Sequence, residues 1–158
     1  MKSTLDCIKE FADNVEEIKI NYKQYNTTHW ISKDHSTILK FSHAVLSWCE
    51  TVLGSDGVPV FIEVYPNIKL KRLRGEYESH SFTIYIYVKG HRTWKNLANT
   101  IIHEYVHHLQ HPTWYTRYRQ LYSYKKHPYE IFANDIADKT ASHATIYALK
   151  KIRRFINE

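Results

Sequence analysis

The residues best suited to chemistry lie in the stretch HEYVH, at positions 103 to 107. His103 and His107 stand four residues apart, so in a helix their side chains lie one turn apart on the same face. Two neutral imidazoles in this arrangement can bind one zinc ion, and Glu104 projects beside that ion, where it can take a proton from a bound water. The pattern indicates a catalytic zinc site; two histidines on a solvated helix face are the alternative interpretation.

A zinc ion held by only two protein side chains would bind weakly, so this hypothesis requires a third ligand. Gln110 and Thr113 stand where one extended form of the motif needs a glycine and a histidine, and this excludes that form. Glu130, in the sequence HPYEIFAN, is the remaining choice, because it lies in the first turn of a predicted last helix. Small side chains on the same face would let that helix approach its neighbour closely: Ala133, Ala137, Ala141, Ala144 and Ala148.

Two further polar residues receive supporting roles from their places on the helices. Asn134 lies one turn after Glu130, on the side of the site, and we expect it to accept a hydrogen bond from the far ring nitrogen of His103 or His107. His108 falls on the apolar side of its helix and is predicted to be a hydrogen-bonded packing residue.

Hydrophobic periodicity predicts the elements that position these residues. The 158 residues are the length of one ordinary domain, for which we expect an α+β fold. Its consecutive parts are a helical N-terminal part at 1–55, a small sheet at 56–90, the histidine helix at 91–112, a largely irregular connection at 113–127 and the glutamate helix at 128–158.

Two of these parts carry more detailed predictions. In the N-terminal part, a first amphipathic helix is expected to end near Lys23, and a second to run from about Asp34 to Leu53 with Gly54 as its stop. In the middle part, the stretch FTIYIYV at 82–88 alternates between two faces, which is typical of a strand. With the extended stretches before it, this strand predicts a mostly antiparallel sheet.

Composition narrows the possible partners. The formal charge of +6 favours acidic partners such as nucleic acid or a membrane surface, but the basic residues are dispersed apart from clusters at 69–74 and 150–154. No apolar run reaches membrane-spanning length and the first residues do not resemble a secretory signal, so we expect a cytoplasmic protein without a membrane partner. The two cysteines, Cys7 and Cys49, fit neither a zinc ribbon nor a disulfide framework.

HEYVH followed by EIFAN on the next helix resembles the gluzincins, zinc metallopeptidases whose HExxH helix is followed by a glutamate ligand. The short spacing between His107 and Glu130 is similar to that of the minigluzincins, the ImmA/IrrE-type and SprT-like peptidases, and small peptidase-like proteins of tailed phages. The resemblance covers residues 82–140 and implies a zincin-like minimal metallopeptidase fold.

The resemblance also implies roles for particular residues. His103, His107 and Glu130 would bind Zn²⁺, and Glu104 would be the general base of a zinc metalloendopeptidase that hydrolyses peptide bonds through a zinc-activated water. A peptide or protein substrate would pair along the strand at 82–88, which corresponds to the substrate-binding edge strand of such enzymes.

Two further positions are compared with the larger gluzincins. Asn134 stands where those enzymes usually have an aspartate, as it does in the ImmA/IrrE type. The larger enzymes also supply a tyrosine or histidine that stabilises the oxyanion. The candidates for this role lie in the connecting segment: Tyr115, Tyr118, Tyr122, Tyr124 and His127.

Three alternatives stay open at the level of sequence. The first is a catalytically silent or self-inhibited zinc-binding regulatory protein on a peptidase scaffold. Glu104 argues against this alternative, because a purely structural zinc site does not need a base. The second is a basic nucleic-acid-binding module in which the histidines are incidental, which predicts no stoichiometric metal. The third is hydrolysis of a non-peptide amide by the same metal chemistry.

Overall fold

The computed structural model describes residues 3–67 and 73–156, with side chains described to residue 153. This part of the chain is α+β, as the sequence predicts, and contains five α-helices and one three-stranded sheet. The helices are α1 (Thr4–Asn14), α2 (His35–Trp48), α3 (Trp94–Leu109), α4 (Pro112–Leu121) and α5 (Pro128–Ile156). The strands are β1 (Phe61–Tyr65), β2 (Gly75–Glu78) and β3 (Thr83–Tyr87).

The N-terminal helices follow the prediction only in part. α1 ends at Asn14, so the prediction that it extends to near Lys23 is wrong. The Asn14 side chain bonds the carbonyl of Glu10 and Val15 takes an extended backbone conformation, which ends the helix although apolar residues continue at helical spacing. α2 continues through a π-helical turn at Cys49–Leu53 to the predicted stop at Gly54, whose φ is +98°.

The sheet is mixed, with the strand order β1-β3-β2. β2 pairs antiparallel with β3 through a short turn, whereas β1 pairs parallel with the other side of β3. The prediction of a mostly antiparallel sheet is therefore wrong for one of the two pairs. Of the predicted extended stretch at 69–77 and the basic cluster at 69–74, residues 69–72 lie outside the described residues.

The strand predicted as a substrate-binding edge is the central strand of this sheet. The backbone of β3 bonds β1 along one side and β2 along the other, so it has no free edge to offer a peptide. β2 lies at one edge, and among the described residues no strand pairs with its outer side. The prediction that a substrate pairs along 82–88 is therefore corrected.

The helices α3, α4 and α5 bring the predicted site residues together. Thr93 caps α3 by accepting a hydrogen bond from the backbone N–H of Asn96. The connection at 113–127, predicted to be largely irregular, is mostly the helix α4, because Pro112 at its first turn and the His111 side chain as its cap favour a helix start.

α5 packs along α3 and α2 through its predicted stripe of small residues. The five alanines of this stripe are fully buried: Ala133, Ala137, Ala141, Ala144 and Ala148. This close packing fixes the start of α5, and therefore Glu130, beside α3. In the described part of the chain, neither α5 nor any other helix is both long and apolar enough to cross a membrane.

Candidate metal centre

α3 presents its two predicted histidines side by side. The rings of His103 and His107 lie 4.6 Å apart between centroids and almost perpendicular, and their Nε2 atoms are 3.0 Å apart. The opposite face of α3 is buried in the core, where Leu97, Ile101 and Tyr105 are fully buried. The apolar face therefore orients α3 so that both Nε2 atoms point to the same place outside it.

Glu130 is brought to the same place from the first turn of α5. Its Oε2 atom lies 3.0 Å from His103 Nε2 and its Oε1 atom lies 3.1 Å from His107 Nε2. Ligand atoms of a tetrahedral zinc ion with bonds of about 2.0–2.1 Å stand about 3.3 Å apart. The distances among the two histidines and Glu130 are close to that value, so this donor set fits a zinc ion.

The hydrogen bonding within the cluster is incomplete in a way that also fits a cation. His103 Nε2 faces both His107 Nε2 and Glu130 Oε2 at 3.0 Å, and one N–H cannot point at both. Glu130 Oε2 is buried and, despite that short distance, lacks a hydrogen-bond partner of suitable direction among the described residues. Lone pairs facing one point without enough protons between them are expected of metal ligands.

Glu104 lies beside these donors. Its Oε1 atom is 4.0 Å from His103 Nε2, and one carboxylate oxygen of Glu104 lies within 4.8 Å of a ring nitrogen of each histidine. Glu104 and Glu130 are thus both near the cluster. The shorter distances of Glu130 to both rings make it the better third ligand, whereas the lateral position of Glu104 suits a base.

The surroundings of Glu104 and Glu130 shift the pKa values of the two carboxyl groups in opposite directions. Burial raises the pKa of Glu104 above its ordinary value, and the positive charge that His103 and His107 can carry only partly opposes this. Burial would also raise the pKa of Glu130, but the close approach of both histidine rings to its carboxylate holds it well below its usual range. Glu130 is therefore the anion of the pair and Glu104 the better proton acceptor near neutrality.

Gln110 supports the cluster in the role predicted for Asn134. Its Oε1 atom lies 2.6 Å from His107 Nδ1, and its amide nitrogen donates to the carbonyl of Tyr129 at 3.1 Å. Asn134 is exposed, interacts with Tyr124, and makes no hydrogen bond to either histidine among the described residues. The prediction that Asn134 accepts a hydrogen bond from one of these histidines is thus wrong. Gln110 takes this role because the end of α3 places its side chain beside His107.

Tyr115, from α4, holds Glu130. Its hydroxyl donates to Glu130 Oε1 at 2.6 Å, and its ring packs edge-on against His107 with centroids 5.1 Å apart. From its place in the sequence, Tyr115 is a candidate only for stabilising the oxyanion. In the structure the Tyr115 hydroxyl instead bonds Glu130 and orients its carboxylate.

The cluster lies in a cleft of about 550 Å³ that is bordered by β2, α3, α4 and the start of α5. Of the predicted oxyanion residues, Tyr115 and Tyr124 line this cleft, and Tyr118, Tyr122 and His127 do not. Partial desolvation and the nearby Glu130 raise the pKa of Tyr124 to about 12, so its hydroxyl stays protonated and can donate a hydrogen bond.

The side chain of His127 forms hydrogen bonds with backbone groups. It is buried; its Nε2 atom lies 3.0 Å from the carbonyl oxygen of Tyr115, and its Nδ1 atom accepts hydrogen bonds from the backbone of Tyr129 and Glu130. Both ring nitrogens are therefore occupied at the start of α5, and the structure does not bring this residue to the cleft as an oxyanion stabiliser.

The edge strand β2 is fixed to α3 through His108. The Nδ1 atom of His108 pairs with the Tyr77 hydroxyl at 2.7 Å, and its Nε2 atom with Asp56 Oδ1 at 3.0 Å. His108 is buried, so the prediction of a hydrogen-bonded packing residue is confirmed. Gly75, Glu76 and Tyr77 of β2 line the cleft, so the edge strand of the sheet borders the His/Glu cluster.

Comparisons of this chain with known protein families, curated proteins and solved structures find no match in any of the three. The fold and the site therefore define the protein only by class: an α+β protein in which three helices and one sheet edge surround a His/Glu cluster.

Proposed function

We propose that this protein is a zinc-dependent peptidase of zincin-like fold, in which His103, His107 and Glu130 bind the metal and Glu104 is the general base. The observation that carries this proposal is the position of Glu130. Its two carboxylate oxygens lie 3.0 and 3.1 Å from the Nε2 atoms of the histidine pair, while Glu104 lies beside them at 4.0 Å.

A zinc ion bound there would polarise a substrate carbonyl and make water a better nucleophile. Glu104 would take the proton of that water and then deliver it to the leaving amine. Gln110 accepts the Nδ1 proton of His107, which leaves the Nε2 lone pair free for the metal. Tyr115 holds Glu130, and Tyr124 would donate a hydrogen bond to the oxyanion.

The substrate in this proposal is an extended peptide that pairs with the outer edge of β2. Among the described residues no strand pairs with that edge, and β2 borders the cleft. Strand addition uses backbone hydrogen bonds and does not depend on side chains, which suits a peptide and not a small amide. The proposal therefore favours peptide over non-peptide hydrolysis.

The first test is the zinc content of protein purified without added metal. We expect about one zinc ion per chain in the wild type and in Glu104→Gln, and a reduced content in Glu130→Ala. Asp135→Ala is the matched control, because Asp135 is a carboxylate on the same helix that forms ion pairs with Lys9 and Lys139 and does not line the cleft.

The second test is turnover of a peptide library. Wild-type protein should cleave peptides, and Glu104→Gln should retain zinc and lose cleavage. Cleavage by Glu104→Gln at the wild-type rate would show that Glu104 is not the base. Stoichiometric zinc without cleavage of any peptide would favour the silent zinc-binding protein, and absence of zinc from the wild type would refute the metal site.

A further inference from the structure

Two arginines border the cleft from different elements. Arg74 directly precedes β2, and Arg119 lies on α4. Both are exposed, and neither forms an ion pair with another described residue. Among the described residues, two arginines without an ion pair therefore line the cleft, one directly before β2 and one on α4.

Among the described residues, no carboxylate of the cleft forms an ion pair with these arginines. Glu104 and Glu130 are buried within the histidine cluster. Glu76 accepts a hydrogen bond from the Tyr87 hydroxyl at 2.9 Å. The segment 112–126 on the other side of the cleft contains four basic residues and no acidic one, so its field attracts an anion to the opening.

We propose that Arg74 and Arg119 form a positively charged subsite that binds an acidic side chain of the peptide substrate close to the bond that is cleaved. This inference rests on the proposed function and specifies its substrate class. A guanidinium group is suited to the role because its planar N–H groups match the two oxygens of a carboxylate.

A single acidic side chain fits this cleft better than a nucleic acid does. β2 exposes Glu76 and Glu78 along the edge that borders the cleft. A continuous phosphate backbone along this edge would pass both carboxylates, whereas a peptide can place one carboxylate at the arginines and neutral residues along the strand. The surface is therefore complementary to an anion only at the two arginines, which favours a peptide with one acidic side chain over a nucleic acid.

The experiment uses a set of fluorescently labelled peptides in which one glutamate is moved along an otherwise uncharged sequence, with glutamine twins as references. Binding to zinc-loaded Glu104→Gln protein is followed by fluorescence anisotropy, and cleavage by wild-type protein is measured separately. At one or two adjacent positions we expect the glutamate peptide to bind about 3- to 10-fold tighter than its twin, a preference that weakens at high salt.

Single variants Arg119→Gln and Arg74→Gln, each in the Glu104→Gln background, should lose most of this preference. Arg117→Gln is the matched control: it removes the same charge from the same helix, but Arg117 lies over the Trp114 ring and does not line the cleft. Thermal melting of each variant shows whether the fold is kept, and only folded variants are compared.

Equal binding of glutamate and glutamine peptides at every position would overturn the subsite, and so would an equal loss in Arg117→Gln. Displacement of the glutamate peptide by a single-stranded oligonucleotide at lower concentration would reassign the surface to nucleic acid. Binding through Arg119 without any cleavage by the wild type would support the subsite and refute the peptidase, whereas cleavage without acidic preference would do the reverse.

Discussion

Replacement of Gly75 by alanine tests how closely the edge strand β2 must approach the site helix α3. A Cβ atom added at Gly75 would lie 2.7 Å from Thr100 Cγ2 and 2.9 Å from the carbonyl oxygen of Tyr85. Thr100 is buried in α3, and the Tyr85 oxygen is part of the β3 backbone, so neither can move aside easily. The alanine variant must therefore push β2 away from the helix.

The size of the effect follows from two opposing contributions. Overpacking at a close contact typically costs about 1–3 kcal/mol. Replacing a glycine by alanine recovers about 0.5–1 kcal/mol, because the unfolded chain loses conformational freedom. The free energy of unfolding should therefore fall by about 1–2 kcal/mol, which in a domain of this size lowers Tm by about 2–8 °C.

Urea denaturation of a double-mutant cycle identifies the cause. Thr100→Ser removes the Cγ2 atom and keeps the hydroxyl that pairs with His91 Nε2 at 2.8 Å. Gly75→Ala should cost about 0.5–1 kcal/mol less in the Thr100→Ser background than in the wild type. The relief is partial because the contact with the Tyr85 oxygen remains. An alanine variant as stable as the wild type, or two strictly additive effects, would refute this account of the contact.

Burial lowers the pKa of His91 to about 4. The unfolded state then binds more protons between about pH 6.5 and pH 4, and the free energy of unfolding should fall by about 2 kcal/mol between pH 7 and pH 5. His91→Gln should remove most of this loss in urea titrations at the two pH values; an unchanged pH dependence would assign it to another group. Tyr115→Phe should weaken zinc binding about 10-fold in a chelator competition, because it removes the 2.6 Å hydrogen bond to Glu130; unchanged affinity would contradict that role. Gln110→Ala should weaken zinc binding about 10- to 100-fold, whereas Asn134→Ala should not, and the opposite order would restore the prediction from sequence.

The features that could be predicted from sequence are those set within one helix. The Thr93 cap and the spacing of His103 and His107 depend only on helix geometry. The position of Glu130 required one further step, from the alanine stripe to close packing of α5. Because all five alanines are buried, that step was sound.

The supporting residues depend on how the chain leaves a helix, which periodicity does not describe. α3 ends at Leu109 and Gln110 takes an extended backbone conformation, so the Gln110 side chain lies beside His107 Nδ1. A helical wheel places Asn134 near the site but cannot show that its side chain is exposed. The early end of α1 has the same origin, because Val15 continues the apolar spacing after its backbone has become extended.

The correction with the largest consequence for function is that β2, and not β3, is the edge strand beside the cleft. Alternation shows that FTIYIYV is a strand but does not show its place in the sheet. The sequence does contain a relevant signal, because β2 reads GEYE, and charged side chains such as Glu76 and Glu78 are typical of edges. Gly75 lets this edge lie against α3 at Thr100, three residues before His103. A peptide added to β2 would therefore extend the sheet across the opening of the cleft, between Arg74 and α4, which a peptide added to the central strand could not reach.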